Sequence, residues 1–187
     1  LKTLSQTSLE LHQSLADRIQ FSDRYTSIGG ELSPRLLTVA YEEGVAAIWC
    51  ICNGQWTAKP VFRHHSGHGR RSSKINRVAW DCEEHLLVIS KTTAVYVCDS
   101  ISGETIGQIS NTAAAFENTT CILGNPVKRE LFFFSNRSGA CCLVDIFQLL
   151  VICEFRVADD ADFTDAVWDK NGEYVYAIDT AGAITVF

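Results

Sequence analysis

The sequence predicts an all-β chain of about four repeated four-stranded units, and three observations carry that prediction. Four hydrophobic stretches, Arg35 to Tyr41, His85 to Lys91, Glu130 to Asn136 and Glu173 to Asp179, are each followed by a short turn and a second strand. Those second strands, Gly44 to Trp49, Thr93 to Cys98, Gly139 to Val144 and Gly182 to Phe187, end 49, 46 and 43 residues apart. That is the spacing of four-stranded propeller blades, not of helical repeats or Leu-rich solenoids. Finally, the 3 prolines and 12 glycines fall mostly at turns, and an apolar content of 47% indicates a chain that buries a core.

The remaining strands fill in around these pairs. Ahead of each lies a short strand A with a large apolar residue near its end: Ile19 to Phe21, Val78 to Trp80, Cys121 to Leu123 and Ala166 to Trp168. After each of the first three comes an outer strand D: Trp56 to Phe62, Glu104 to Ile109 and Leu149 to Arg156. Residues 1–9, containing Leu1-Lys2-Thr3-Leu4, read as a strand D with no blade before it. The units are therefore 15–62, 75–110, 118–157 and 163–187, the last lacking strand D. Such an offset is how propellers close a ring, the orphan strand completing the final blade. Four blades would make a small ring, and an open half would expose apolar blade faces and unpaired edges. The expectation is half of a seven- or eight-bladed propeller, its other blades supplied by the same polypeptide or by a second copy.

No apolar run approaches the ~18 residues of a membrane helix, and no signal-type leader is evident. A net charge of −6 disfavours nucleic acid, whose binders usually carry a broad basic surface, and points to protein partners. Of the 8 cysteines, Cys50, Cys98, Cys141, Cys142 and Cys153 fall within predicted strands, where free cysteine packs as a small hydrophobe. Free thiols, an intracellular location and accidental glycosylation sequons at Asn118 and Asn136 are expected.

The runs Arg35-Leu-Leu-Thr-Val-Ala-Tyr-Glu-Glu-Gly-Val-Ala-Ala-Ile-Trp49, Val78-Ala-Trp-Asp81, Val95-Tyr-Val-Cys-Asp-Ser-Ile-Ser-Gly-Glu104 and Asn171 to Phe187 resemble WD40 repeats. The match covers nearly all of residues 15–187. More narrowly, the order is similar to the later blades of the bromodomain and WD-repeat (BRWD) family. There a tryptophan follows the first of these blades, here Trp56, a long polar loop precedes an Ala-Trp-Asp/Asn strand, and a closing blade ends at Leu/Ile-x-Phe. That resemblance implies a nuclear, chromatin-associated parent with bromodomains beyond this segment and a link to ubiquitin-ligase recruitment; the cytoplasm is the alternative location. The chain departs from the WD40 pattern in losing most Gly-His and Trp-Asp pairs: strand C ends in Trp49-Cys50, Cys98-Asp99, Val144-Asp145 and Val186-Phe187. Without the usual buried polar network, the units are expected to lean on apolar packing.

Three local features are candidates for chemistry. The basic stretch 63–74 carries His64, His65, His68, Arg70 and Arg71, and reads as a solvated loop, a contact for phosphate or an acidic partner, or a metal site. A metal is disfavoured there because no Cys or carboxylate lies among the histidines; Ser72 and Ser73 behind Arg70-Arg71 resemble a basophilic kinase site. The acidic stretch 158–165, with Asp159, Asp160 and Asp162, lacks the Gly and terminal Glu of a calcium loop, and reads as a wet surface or a dock for a basic tail. Because D-to-A loops and B-to-C turns share one face of a propeller, these loops are expected to form a rim with Glu42, Glu43, Lys91, Arg137 and Asp179. Cys50-x-Cys52 is too closely spaced for a zinc pair, it and Cys82-x-x-His85 begin or end in predicted strands where burial is the simpler account, and no base can be placed beside a cysteine nucleophile. Phe132-Phe133-Phe134 reads as core. No cofactor, metal or catalytic group is expected.

The function expected is a non-enzymatic protein-interaction scaffold. The alternatives are a structural subunit of a trafficking or ribosome-assembly complex, and a propeller hydrolase. The last would need polar residues on the strands A, which are largely apolar here.

Overall fold

A computed structural model describes residues 75–83, 85–91, 94–100, 102–110, 113–156 and 163–187 in full, and the backbone of strands at 16–21, 35–41, 45–52, 55–56 and 62–65. The fold is all-β: four antiparallel sheets follow one another along the chain. The first contains β1 (Ala16–Phe21), β2 (Arg35–Tyr41), β3 (Val45–Cys52), β4 (Gln55–Trp56) and β5 (Phe62–His65), the last two both pairing with β3. The second is β6 (Ile75–Trp80), β7 (Leu86–Lys91), β8 (Ala94–Asp99) and β9 (Thr105–Ser110). The third is β10 (Thr119–Gly124), β11 (Leu131–Asn136), β12 (Ala140–Asp145) and β13 (Leu150–Arg156). The fourth holds β14 (Phe163–Trp168), β15 (Val175–Asp179) and β16 (Ile184–Val186). A single 3-10 turn, Ala114–Phe116, is the only helical element among the described residues.

In the second, third and fourth sheets strand follows strand in sequence order, so every hairpin there is local; in the first, β5 returns to β3 past β4. Between sheets, the first strands meet in succession: β1 approaches β6, β6 approaches β10, and β10 approaches β14. Gly124 permits that approach, since a Cβ there would lie 2.5 Å from the Trp80 carbonyl oxygen.

Side-chain alternation explains why the sheets stack. In β7, Leu86 and Val88 turn toward the third sheet while Leu87 and Ile89 enter a cluster on the opposite face with Val78, Trp80 and Cys98. In β11, Phe132 and Phe134 join Val88, Val95, Val97 and Ile109 between the second and third sheets, whereas Phe133 points the other way, to Phe163, Ala166, Val175 and Ala177 of the fourth. Around Phe133, the rings of Phe155 and Phe187 lie 6.2 and 5.6 Å away by centroid. The aromatic triplet is core, shared between two interfaces.

Polar groups add more than the sequence suggested. Asx side chains accept backbone N–H groups at turn after turn: Asp81 from Leu86, Asp99 from Ser102, Asn125 from Val127 and Lys128, Asp145 from Phe147 and Gln148, and Asp179 from Ala181 and Ala183. Asp169 accepts from Tyr174 and Glu173, and these bonds hold its carboxyl below the usual carboxylate range. The sheets are also cross-tied. Arg129 Nε meets the buried Asp81 carboxylate at 2.8 Å, Asn125 Nδ2 donates to the Gly172 carbonyl at 2.8 Å, and Trp168 Nε1 donates to the Leu123 carbonyl at 3.3 Å. Side-chain hydrogen bonds thus supplement the apolar packing expected from the sequence.

Two strand boundaries also differ from expectation. The outer strand at 56–62 is two short strands, β4 and β5, and β5 carries Arg63, His64 and His65 into register with Ala47, Ala46 and Val45. The acidic stretch ends earlier than expected because β14 already begins at Phe163, whose partner is Asp179.

Candidate interaction rim

The end of the molecule where β6 and β10 begin and β11 turns into β12 holds a polar cleft of about 560 Å³. Asn76 and Arg77 of β6, Glu117 and Asn118 ahead of β10, Thr119 and Thr120 at its start, and Asn136, Arg137 and Ser138 at the β11–β12 turn line it. The starts of β6 and β10 and the β11–β12 turn therefore share one end of the sheets.

The floor of the cleft is a satisfied hydrogen-bond network that fastens the second sheet to the third. Buried Ser90 donates to Thr119 Oγ1 at 2.9 Å, and the Thr119 hydroxyl in turn donates to the carbonyls of Phe116 and Ala115 at 3.0 and 3.2 Å. Asn136 spends its whole amide on structure. Its Nδ2 donates to the Ala114 and Glu117 carbonyls, and its Oδ1 accepts from the backbone N–H groups of Ser138 and Ala140 and from the Ser138 hydroxyl. This buried, fully bonded amide explains why Asn136, although in a sequon, offers no accessible nitrogen. Asn76 Nδ2 is a buried donor with no hydrogen-bond partner among the described residues. Arg77, half-buried, places Nη1 3.1 Å from the Asn76 carbonyl, while Arg137, Glu117 and Asn118 are exposed. Asn118 adopts φ 52°, a left-handed conformation that Asn tolerates, and this turns the chain from the 3-10 turn into β10.

Of the residues expected on the rim, Arg137 lies in this cleft and Asp179 stands half-exposed at the β15–β16 turn, its carboxylate engaged with Ala181 and Ala183. Lys91 does not present its charge. It closes β7 opposite Ile75, fully buried, with Nζ 5.8 Å from the centre of the Tyr96 ring, and desolvation lowers its pKa to about 8. The physical reason is position: Lys91 is paired with Ile75 at the start of β6, within the sheet. His64 and His65 lie in β5, of which the backbone alone is described. His68, Arg70, Arg71, Ser72, Ser73, Glu42, Glu43, Asp159, Asp160 and Asp162 lie outside the described residues.

The described residues gather no group of three or more His, Cys, Asp or Glu able to hold a metal. Cys82 and His85 are exposed at the β6–β7 turn, where His85 Nδ1 lies 3.4 Å from Glu83. Six cysteines are described and all are free thiols; Cys98, Cys121, Cys141 and Cys142 are buried. Burial raises the pKa of Cys98 and Cys121 to about 11 and that of Cys141 to about 12, so none is an activated nucleophile. No helix among the described residues is long and apolar enough to cross a membrane.

Asn76, Arg77 and Glu117 were not singled out in the sequence, because each is an ordinary polar residue in its own segment, and Asn118 was read only as an accidental sequon. The shared face of strand-A starts and B-to-C turns is the signal that could have found them. Comparison with known proteins finds no matching family model and no matching curated protein.

Proposed function

We propose that the chain is a segment of a WD40-type β-propeller and serves as a non-enzymatic scaffold that binds protein partners through the rim of D-to-A loops and B-to-C turns. The observation that carries this reading is the successive apposition of β1, β6, β10 and β14, the way inner strands of blades gather around an axis. Alternating burial supports a ring larger than four blades. The row Ala79, Val88, Val97, Gly107 faces the next sheet, as does the row Leu123, Phe133, Leu143, Cys153. The corresponding row in the fourth sheet, Val167, Tyr176, Val186, is apolar yet exposed. A following blade, from the same polypeptide or from a second copy, would cover it. The BRWD resemblance favours a nuclear, chromatin-associated parent, with a basic tail or a ubiquitin-ligase component as partner, and the buried free thiols favour an intracellular setting.

The test is affinity capture from nuclear extract with two double variants, Arg70→Glu with Arg71→Glu and Asp159→Lys with Asp160→Lys. Each is expected to weaken capture with the melting temperature held, because loops on a rigid sheet scaffold carry recognition and not stability. Full capture by both, together with loss of capture on substituting Lys128 and Arg129 at the opposite end, would move the surface elsewhere.

A further inference from the structure

We infer that the open side of the fourth sheet docks a partner's β-sheet that is apolar where it touches and carries an arginine in the turn after its first strand, with the Asp169 carboxylate as the acceptor of that arginine. It rests on the reading above, in which a further unit covers this side, and it states the chemistry that unit brings.

One device occurs three times along the chain. Asp81, Asn125 and Asp169 each follow directly on the first strand of their sheet, β6, β10 and β14. Asp81 and Asp169 close their turns in the same way: the backbone N–H donates to the carbonyl five residues on, Leu86 or Tyr174, and side-chain Oδ1 accepts the N–H of that same residue at 2.7 and 2.9 Å. Asn125 Oδ1 accepts the turn N–H groups of Val127 and Lys128. The rest of each side chain then reaches the first turn of the following sheet. Asp81 Oδ2 meets Arg129 Nε at 2.8 Å in the β10–β11 turn, and Asn125 Nδ2 donates to the Gly172 carbonyl at 2.8 Å in the β14–β15 turn. Asp169 is the third of the series. Its Oδ2 meets the Asn171 N–H at 3.2 Å, and no cation among the described residues forms an ion pair with it. A following sheet would bring its own first turn to this carboxylate, as the third sheet brings Arg129 to Asp81.

The apolar part of the surface follows the same repetition. Both β10 and β14 shift register after their first paired residue, so Asp165, Ile178 and Ile184 stand in the fourth sheet where Cys121, Ser135 and Cys141 stand in the third. In the third sheet that row is buried, Cys141 at 1% exposure; in the fourth, Ile178 and Ile184 are 39% and 66% exposed. Between Val167, Tyr176, Ile178 and Ile184 lies an apolar recess of about 190 Å³, which suits a large apolar side chain. Exposed apolar surface of this extent marks an interaction site. Its charge sets the sign of the partner. Asp165 borders the recess, and in the β14–β15 turn Asp169 and Glu173 stand with Lys170, so the side as a whole is acidic and complements a basic group. A guanidinium fork matches a carboxylate better than an ammonium does, and Arg129 on Asp81 is the precedent within the chain.

The experiment titrates the 187-residue chain with three tripeptide amides: acetyl-Phe-Val-Arg, its citrulline counterpart, which keeps the shape and loses the charge, and its glutamate counterpart. Amide signals followed by NMR give both the site and the affinity. The arginine tripeptide is expected to move the signals of Val167, Tyr176 and Ile184 together with those of Asn171 and Glu173. It should bind about tenfold or more tighter than the citrulline tripeptide, the worth of one charge-assisted contact, and the glutamate tripeptide should bind weakest. Asp169→Asn keeps the turn, as Asn125 does in the equivalent place, and should erase the preference for arginine over citrulline with the melting temperature held. Tyr176→Ser should weaken both tripeptides alike, and Gln108→Ala, exposed on β9, should change neither. Equal binding of the arginine and citrulline tripeptides, a preference that survives Asp169→Asn, or shifts confined to other surfaces overturns the proposal. A chain that sediments as a dimer and returns to monomer on Tyr176→Ser names a second copy as the occupant and overturns the separate partner. If the tripeptides fail while the Arg70 and Arg71 variant still loses its captured partners, the docking assignment falls and the scaffold reading stands; if neither responds, both fall.

Discussion

Replacing Phe133 with alanine tests the stacking of the sheets directly, because its ring is the centre of the interface between the third and fourth. Phe133 is 1% exposed and touches the rings of Phe155 and Phe187, whereas Tyr176, which occupies the corresponding outward row of the fourth sheet, is 41% exposed. A buried aromatic side chain removes some 150–250 Å² from water, which at about 25 cal/mol per Å² comes to roughly 4 to 6 kcal/mol. Truncation of a fully buried Phe to Ala costs about 3–5 kcal/mol in practice, so Phe133→Ala should lose about 4 kcal/mol. At Tyr176 water already reaches the ring and no cavity forms, so Tyr176→Ala should lose about 1 kcal/mol, mostly strand preference and partial burial. Urea denaturation followed by tryptophan fluorescence measures both. For a chain of this size each kcal/mol is about 2–4 °C, so the melting temperatures should separate by roughly 6–12 °C. Equal losses, or a loss below about 1.5 kcal/mol for Phe133→Ala, would refute the placement of the two rows.

Two further outcomes are expected. Lys91 has a folded pKa of about 8 against an ordinary value of 10.5, so its charge is opposed by burial: the cost is complete below pH 8, shrinks as pH rises, and is gone above 10.5. The stability of Lys91→Met relative to the parent should therefore fall as pH rises from 8 to 10.5; a difference independent of pH in paired denaturation curves would refute it. For the thiols, alkylation at pH 8 with peptide mapping should label Cys82 and Cys153 well before Cys98, Cys121, Cys141 and Cys142, and denaturation without reductant should release 8 thiols in all; early labelling of Cys142 would contradict its burial.

The strands were legible where hydrophobic runs met turn residues. Leu131–Asn136 and Leu86–Lys91 stand within a residue of their expected starts because Glu130 and His85 mark the ends of the preceding turns. Burial was harder to read. All six residues of β7 are buried, so the polar-out alternation that would have placed Lys91 does not exist there: a strand covered on both faces carries no such signal. The turn chemistry was missed for a different reason. Asp81, Asn125 and Asp169 look like solvent residues in isolation, and only the closed hairpin shows them bonded to backbone several residues on. The cleft needed three separate stretches, 76–77, 117–120 and 136–138, to be brought together by β6 meeting β10, a contact no local pattern encodes.

The near-sequential order of strands has a kinetic meaning. Apart from β5, which returns to β3 past the short β4, every ladder joins neighbours in the chain, so each sheet can close through short loops whose entropy cost is small, and only the docking of one sheet on the next demands contacts distant in sequence. Opening then follows nearest neighbours, as in other arrays of stacked units. Of the three sheets whose side chains are described, the fourth, held on one face by Phe133 and its partners and ending in the short β16, would exchange its amides first. The third, clasped between the second and the fourth, would exchange more slowly.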